Sequence, residues 1–338
     1  IVIISAGFRE AGEKGKTLEE EVLHTAKEYG IRILGPNCLG MIRAPVQLNL
    51  TFFSGEVSKG DLALISQSGA ICTSVLDWAQ DMNVGFSSVI SLGDAADLDF
   101  GEILDFFAQD AETRCILLYV EGIQKARRFM SALRQAARIK PVIVLKVGKS
   151  QAGGRAVTSH TGALAGADSA FQAALERAGA IRVHSVDQLF NAAEILSHYH
   201  HADVTELMVI TNGGGLGVLA ADATQDFQIP LTDLSNKSQE NLESFLPPYW
   251  SRSNPIDILG YSGPERYQKT IKACLEQKGN HALLIMLAPQ AVGNPAAIAE
   301  VVVEETKKSK RPVIMCWMGG RQVEAAKKIF IQNKVPFF

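Results

Sequence analysis

Residues 65–79 read ISQSGAICTSVLDWA and residues 210–223 read ITNGGGLGVLAADA. Each ends an apolar run, passes through small polar residues and glycine, and continues as a small-residue stretch of helical character. A strand that feeds a helix through so short a turn is the building unit of open parallel sheets. It leaves the free N–H groups of the helix start at the C-terminal edge of the sheet, where the helix dipole favours an anion. Neither turn has the GxGxxG spacing of dinucleotide-binding folds or the Lys-Ser/Thr of a Walker loop. One such turn alone is explained by tight-turn geometry. Two matched copies point to phosphate binding, at Ser66, Ser68, Gly69 and Ala70 in the first and at Asn212, Gly213, Gly214 and Gly215 in the second. The two are expected to serve one anion.

Outward from these turns, apolar runs alternate with amphipathic stretches. The runs are 1–5, 31–34, 62–66, 86–91, 115–120, 141–146, 207–211, 282–287 and 312–317, and helical patterns occupy 69–80, 125–138, 167–178, 186–198, 235–246 and 320–333. This is the pattern of α/β domains with parallel sheets. Thr17 and Glu20 have capping-box spacing and predict a helix start there. Residues 42–60, rich in turn formers, read as a linker, and the polar 199–205 as a second boundary. The expected organisation is a short piece at 1–47, a full α/β unit at 48–203 and another at 204–338, the first and last incomplete. The terminal VPFF reads as a strand beginning.

Composition narrows the function. Of 338 residues, 47% are hydrophobic and 20% charged, with a net charge of −3. That balance supplies no electrostatic reason to bind nucleic acid or an anionic membrane, and no apolar run is long enough to span a bilayer. The five cysteines have neither disulfide nor zinc spacing, so no metal site is expected and a reducing cytoplasm fits.

Three further elements carry chemistry. His160 lies in RAVTSHTGALAGAD (155–168), among residues small enough to let a phosphoryl group approach; imidazole is a nucleophile near neutral pH. The other reading is a loop histidine without a role, which is the reading given to His184, His198, His200, His201 and His281. Glu121 ends the run ILLYVEGI, so its carboxylate either orients an imidazole at the sheet edge or caps a helix. ILGPNCLGMI (33–42) runs from a strand into a rigid turn, in which Asn37 and Cys38 face a ligand or Cys38 is simply buried.

Taken together and in this order, ILGPNCLG, ISQSGA, VEG, SHTGALAG and TNGGGLGVLAADA resemble the succinyl-CoA synthetase and ADP-forming acyl-CoA synthetase superfamily, over essentially the whole chain. The resemblance implies successive Rossmann-like and flavodoxin-like parallel-sheet domains. It implies His160 as the phosphohistidine, Glu121 as its carboxylate partner, and CoA or acyl contacts at Gly7, Asn37 and Cys38. The implied activity is the reversible conversion of acyl-CoA, phosphate and ADP to acid, CoA and ATP. ATP or ADP with Mg2+ would then be held by an ATP-grasp domain or subunit whose sequence is not in this chain. The segments DWAQDMNVGFSSVISLGDAADLDFGEILDFFAQD and EGIQKARRFMSALRQAARIKPVIVLK resemble long bacterial proteins that join this module to ATP-grasp and often GNAT acetyltransferase domains. The alternative function is therefore an acyl-CoA-sensing region of a protein lysine acetyltransferase. A homo-oligomer is compatible with either.

Overall fold

The computed structural model describes residues 1–150, 152–155, 157, 168–199, 204–291 and 293–338. The chain divides into two compact units, Ile1–His200 and His201–Phe338.

In the first unit the strands are β1 (Gly40–Arg43), β2 (Leu48–Thr51), β3 (Lys59–Ser66), β4 (Phe86–Ser91), β5 (Cys115–Val120), β6 (Val142–Lys146) and β7 (Ile181–Val183). They form one sheet in the order β2-β1-β4-β3-β5-β6-β7. From β4 to β7 all pairs are parallel, in the 2-1-3-4-5 order of flavodoxin-like folds. The helices are α1 (Glu13–Glu28), α2 (Gly69–Asp81), α3 (Phe100–Gln109), α4 (Ala126–Ile139), α5 (Asp168–Ala178) and α6 (Val186–His198).

Alternate strand residues point to opposite faces, and both faces are covered. Ala63, Ile65, Ile116 and Leu118 pack with Leu104 and Phe107 of α3 and with Phe129 and Leu133 of α4. Leu62, Leu64, Leu117 and Ile143 pack with Val75 and Leu76 of α2 and with Leu189 and Ala193 of α6. Double burial is why these strands read as unbroken apolar runs. Each wholly buried Leu or Ile contributes about 1.5–3 kcal/mol.

The second unit repeats the plan. β8 (Glu206–Thr211), β9 (Ile256–Asp257), β10 (His281–Leu287) and β11 (Val313–Trp317) lie in the order β11-β10-β8-β9, all parallel. The helices are α7 (Gly214–Asp226), α8 (Asn236–Glu243), α9 (Pro264–Glu276), α10 (Pro295–Lys307) and α11 (Glu324–Asn333). Phe337 makes one parallel bridge to Met315, where the sequence expects a strand to begin.

Several expectations are corrected. Much of 42–60 is not a linker: Gly40–Arg43 and Leu48–Thr51 form an antiparallel hairpin, and β1 pairs antiparallel with β4. Arg43 fixes it there by a two-pronged ion pair with Asp110, 2.7 Å on each prong. The division at 47/48 therefore runs through a hairpin. Its outer strand β2 is an edge with mostly exposed side chains, so no burial pattern marks it. Helix α1 begins at Glu13, not at Thr17, whose hydroxyl donates back to the Glu13 carbonyl at 3.0 Å as helix-interior threonines do. The capping box lies elsewhere. Asp99 accepts from Gly101 N at 2.8 Å, and Glu102 accepts from Asp99 N at 3.2 Å. The runs 1–5 and 31–34 meet through a single parallel bridge, Val2–Leu34. Helices α3, α9 and α10 went unread, although Asp99/Glu102 and the prolines at the starts of α9 and α10 are ordinary start signals. His281 is not a loop residue; it is buried at the start of β10, with Nε2 3.1 Å from the Cys274 carbonyl.

Candidate active site

The turn between β3 and α2 is built by three side chains. Ser66 is wholly buried, and its hydroxyl donates to Ser68 O (2.8 Å) and accepts from Ser68 N (3.0 Å). It therefore shapes the turn from inside. Gln67, also buried, places Oε1 where it accepts from Glu121 N (2.7 Å) and Gly122 N (3.0 Å). This braces the end of β3 against the end of β5, across the point where strand order reverses and open sheets bind ligands. Ser68 is the helix cap, accepting from Ile71 N at 3.4 Å. The first-turn N–H groups of Gly69 and Ala70 have no intrahelical carbonyl to bond.

Ser68, Gly69 and Ala70 face a cavity of about 400 Å³ that Asn37 and Cys38 also line, with Ile4, Leu39 and Phe52 as its apolar wall. Two independently expected groups, the phosphate-binding helix start and the CoA- or acyl-contacting turn, thus share one space. The turn is tightly made. Gly35 has φ +100° and its Cα hydrogen points at Ile3 O, where a Cβ would sit 2.4 Å away; only glycine fits. Asn37 takes the left-handed conformation at φ 55°, and its N–H donates to Ser5 O at 3.0 Å. Cys38 is buried and donates to Ile3 O at 3.3 Å. Burial pushes its thiol up to about 11, so it is a wall and not a nucleophile. Gly7 is exposed and is not among the described residues lining the cavity.

Beneath the turn sits a carboxyl pair that the sequence reading missed. Asp94 is 3% exposed. Its Oδ1 accepts weakly from Asn37 Nδ2 (3.4 Å), and Oδ2 has no hydrogen-bond partner among the described residues. Burial first, then Glu10, raises Asp94 to about 7. Glu10 accepts from Gly7 N and from Phe8 N (3.2 Å). Although burial pulls its carboxyl upward, the Gly7 bond and Asp94 together hold it below its ordinary value.

Glu121 follows β5 directly and is buried at the C-terminal edge, as its strand-end position requires. Its carbonyl accepts from Lys146 Nζ at 2.9 Å. Lys146 is itself buried, and it bonds the Val147 carbonyl as well. Burial lowers its pKa against the pull of Asp168. A lysine ending the otherwise apolar VIVLK was the available signal. His160 lies outside the described residues.

The turn between β8 and α7 repeats the first. Thr211 Oγ1 accepts from Gly213 N (3.1 Å) and donates to Gly213 O (3.2 Å). The amide of Asn212 spans to the end of β10, donating to Ala288 O and accepting from Ala288 N, each at 2.8 Å. Gly213 caps α7 without a side chain. A Cβ at Gly213 or Gly215 would meet nothing within 4 Å among the described residues. Packing among the described residues therefore does not demand glycine there.

Comparison with known proteins bears on this geometry. Residues 59–196 match the succinyl-CoA ligase-like flavodoxin domain and residues 207–338 the Ligase-CoA domain. The whole chain aligns with the alpha subunit of ADP-forming acetate–CoA ligase I from Pyrococcus furiosus, at 38% identity over 73% of that subunit. The chain belongs to the ADP-forming acyl-CoA synthetase family. It is also 41% identical to the single-chain ADP-forming acetate–CoA ligase I of Archaeoglobus fulgidus, of which it covers 48%. The chain thus spans about half the length of that relative. A solved family structure, the acetyl-coenzyme A synthetase 1 of Ca. Korarchaeum cryptofilum in complex with phosphate and ADP, superposes with a TM-score of 0.94 at 35% identity, over all of this chain and 73% of that one.

Proposed function

We propose that this chain is the CoA- and phosphate-handling part of an ADP-forming acyl-CoA synthetase. The observation that carries the reading is the single cavity in which Asn37 and Cys38 share a wall with the helix start at Ser68–Ala70. In the reaction, a phosphate oxygen attacks the thioester carbonyl carbon, the C–S bond breaks and CoA leaves as the thiol. The resulting acyl phosphate gives its phosphoryl group to the imidazole of His160, releasing the carboxylate. The phosphoimidazole then passes the group to ADP, bound with Mg2+ by an ATP-grasp part from another region or subunit.

The chain's own contribution is positional and electrostatic. A phosphoryl group carries about −1.5 to −2 charge, and each helix start offers about +0.5. The start of α2 offsets part of that charge without a Walker lysine. Glu121 orients the imidazole of His160, since a carboxylate bonded to one ring nitrogen fixes which nitrogen is free to react.

Incubating the full protein with radiolabelled acetyl phosphate should place acid-labile label on His160, and His160→Ala should remove it completely. Label that persists in the variant overturns the assignment. Binding of acyl-CoA with no label in the wild type would favour the acyl-CoA-sensing alternative, which needs the cavity but no phosphohistidine.

A further inference from the structure

Glu121 lies just past the sheet. Backbone pairing of β5 ends at Tyr119–Ser66 on the β3 side and at Val120–Lys146 on the β6 side. A residue beyond its ladders has lost the strand partners that fix φ and ψ, and chain ends of this kind fray first. Two side chains take over where the ladders stop. Gln67, from the end of β3, accepts from Glu121 N at 2.7 Å and from Gly122 N at 3.0 Å. Lys146, the last residue of β6, donates from Nζ to Glu121 O at 2.9 Å. The same ammonium donates to Val147 O, the first carbonyl past β6. We propose that Lys146 is a positioning residue for phosphoryl transfer, which with Gln67 grips the Glu121 peptide from both neighbouring strands and so sets its carboxylate for His160. The proposal rests on the role given to Glu121 above.

A neutral donor could satisfy the two carbonyls at lower cost, because a buried ammonium has given up its water. Lys146 is only 5% exposed. Burial is the largest influence on it and lowers its pKa. Its compensation comes from the site. Nζ has the two carbonyls as acceptors, stands 5.8 Å from the centre of the Phe171 ring, and is attracted by Asp168 and Glu121 against the repulsion of Arg182 and Lys149. The cation and Glu121 thus support each other: the ammonium holds the peptide, and the carboxylate returns charge to the ammonium.

With its N–H and its carbonyl both held, Glu121 keeps freedom only in its own side-chain torsions. Rates respond steeply to such control, since misplacing a reacting group by about 1 Å costs about a hundredfold.

The test is a double-mutant cycle on the full protein, reading the rate at which radiolabelled acetyl phosphate puts acid-labile label on His160. Lys146→Met keeps the buried stem and removes the donor. It should slow labelling by about ten- to hundredfold, with the half-saturating acetyl phosphate concentration changed by less than about twofold. In the Glu121→Gln background the same substitution should change the rate by less than about twofold, because a residue that acts through a carboxylate has nothing to add once that carboxylate is gone. Lys146→Gln, neutral and one atom shorter, is the second variant should Lys146→Met fail to fold, and it should show the same dependence on Glu121. An equal slowing in both backgrounds overturns the proposal and leaves Lys146 a general support of the fold. Labelling at the wild-type rate in Lys146→Met overturns it as well. A wild-type rate in Glu121→Gln shows instead that the reading of Glu121 has failed, and the proposal falls with it.

Discussion

The turns Ser66–Ala70 and Thr211–Gly215 are built on one plan and finished differently. In both, a strand-end hydroxyl is tied to the capping residue two positions on, and the amide between them reaches across to the third strand of the flavodoxin order. At the first turn Ser68 occupies one of its own helix N–H groups with its side chain. At the second Gly213 has no side chain to offer, and the N–H at the matching position, that of Leu216, donates instead to the Gly213 carbonyl at 3.0 Å; the nearest described atom to an added Cβ at Gly214 would be an Asp257 carboxylate oxygen at 3.3 Å. The bracing is thus common to both units, and they diverge in what takes the third N–H of the helix, a serine hydroxyl in the first and a backbone carbonyl in the second. A turn that must bind and release an anion gains from rigid flanks, and either kind of cap leaves the first N–H groups of the helix without an intrahelical partner.

The bracing can be tested first, because its loss has the largest effect. Gln67→Met keeps the volume and strands two buried N–H groups. It should cost about 2–4 kcal/mol by denaturant unfolding. Asn212→Leu strands one N–H and one carbonyl and should cost a similar amount, with hydrogen exchange locating each loss in its own unit. If only one of the two variants is destabilised, the shared plan is superficial.

Ser68→Ala should cost about 1 kcal/mol, the usual worth of a serine cap. It should weaken phosphate binding little, since it frees an N–H while losing only local order. Calorimetric phosphate binding that collapses in this variant would mean the Ser68 hydroxyl itself is a ligand, which would make the two turns chemically distinct. The smallest effect is expected from Gly213→Ser, which copies the first cap onto the second. It should stabilise α7 by a few tenths of a kcal/mol, and the open space at this position gives the new side chain room. A large destabilisation would show that glycine is demanded there by the fold.

The site was legible in parts. Asn37, Cys38 and Ser68–Ala70 could be singled out from local patterns, and the fold brings them to one cavity. Gln67 and Asn212 were opposite cases: the first went unnamed and the second was read as a phosphate ligand. Both are buried and committed to backbone partners 54 and 76 residues away, and no local pattern records such a distance. Lys146 and the Asp94–Glu10 pair were missed for the same reason, since a buried charge is recognised by what surrounds it.

By itself the sequence determined the elements whose burial is two-sided or periodic. The strands Phe86–Ser91 and Cys115–Val120 match the runs read at 86–91 and 115–120 to the residue, because strands covered on both faces are built from apolar and small side chains. It also determined the family, through motifs that are specific only as a set in one order. Only the tertiary structure decided the order of strands in each sheet, the hairpin at Gly40–Thr51 and the two-residue strand Ile256–Asp257. Those elements are held by pairing and by contacts such as Arg43–Asp110. A pairing partner far along the chain leaves no period in the sequence, so the fold had to be seen before these parts could be read.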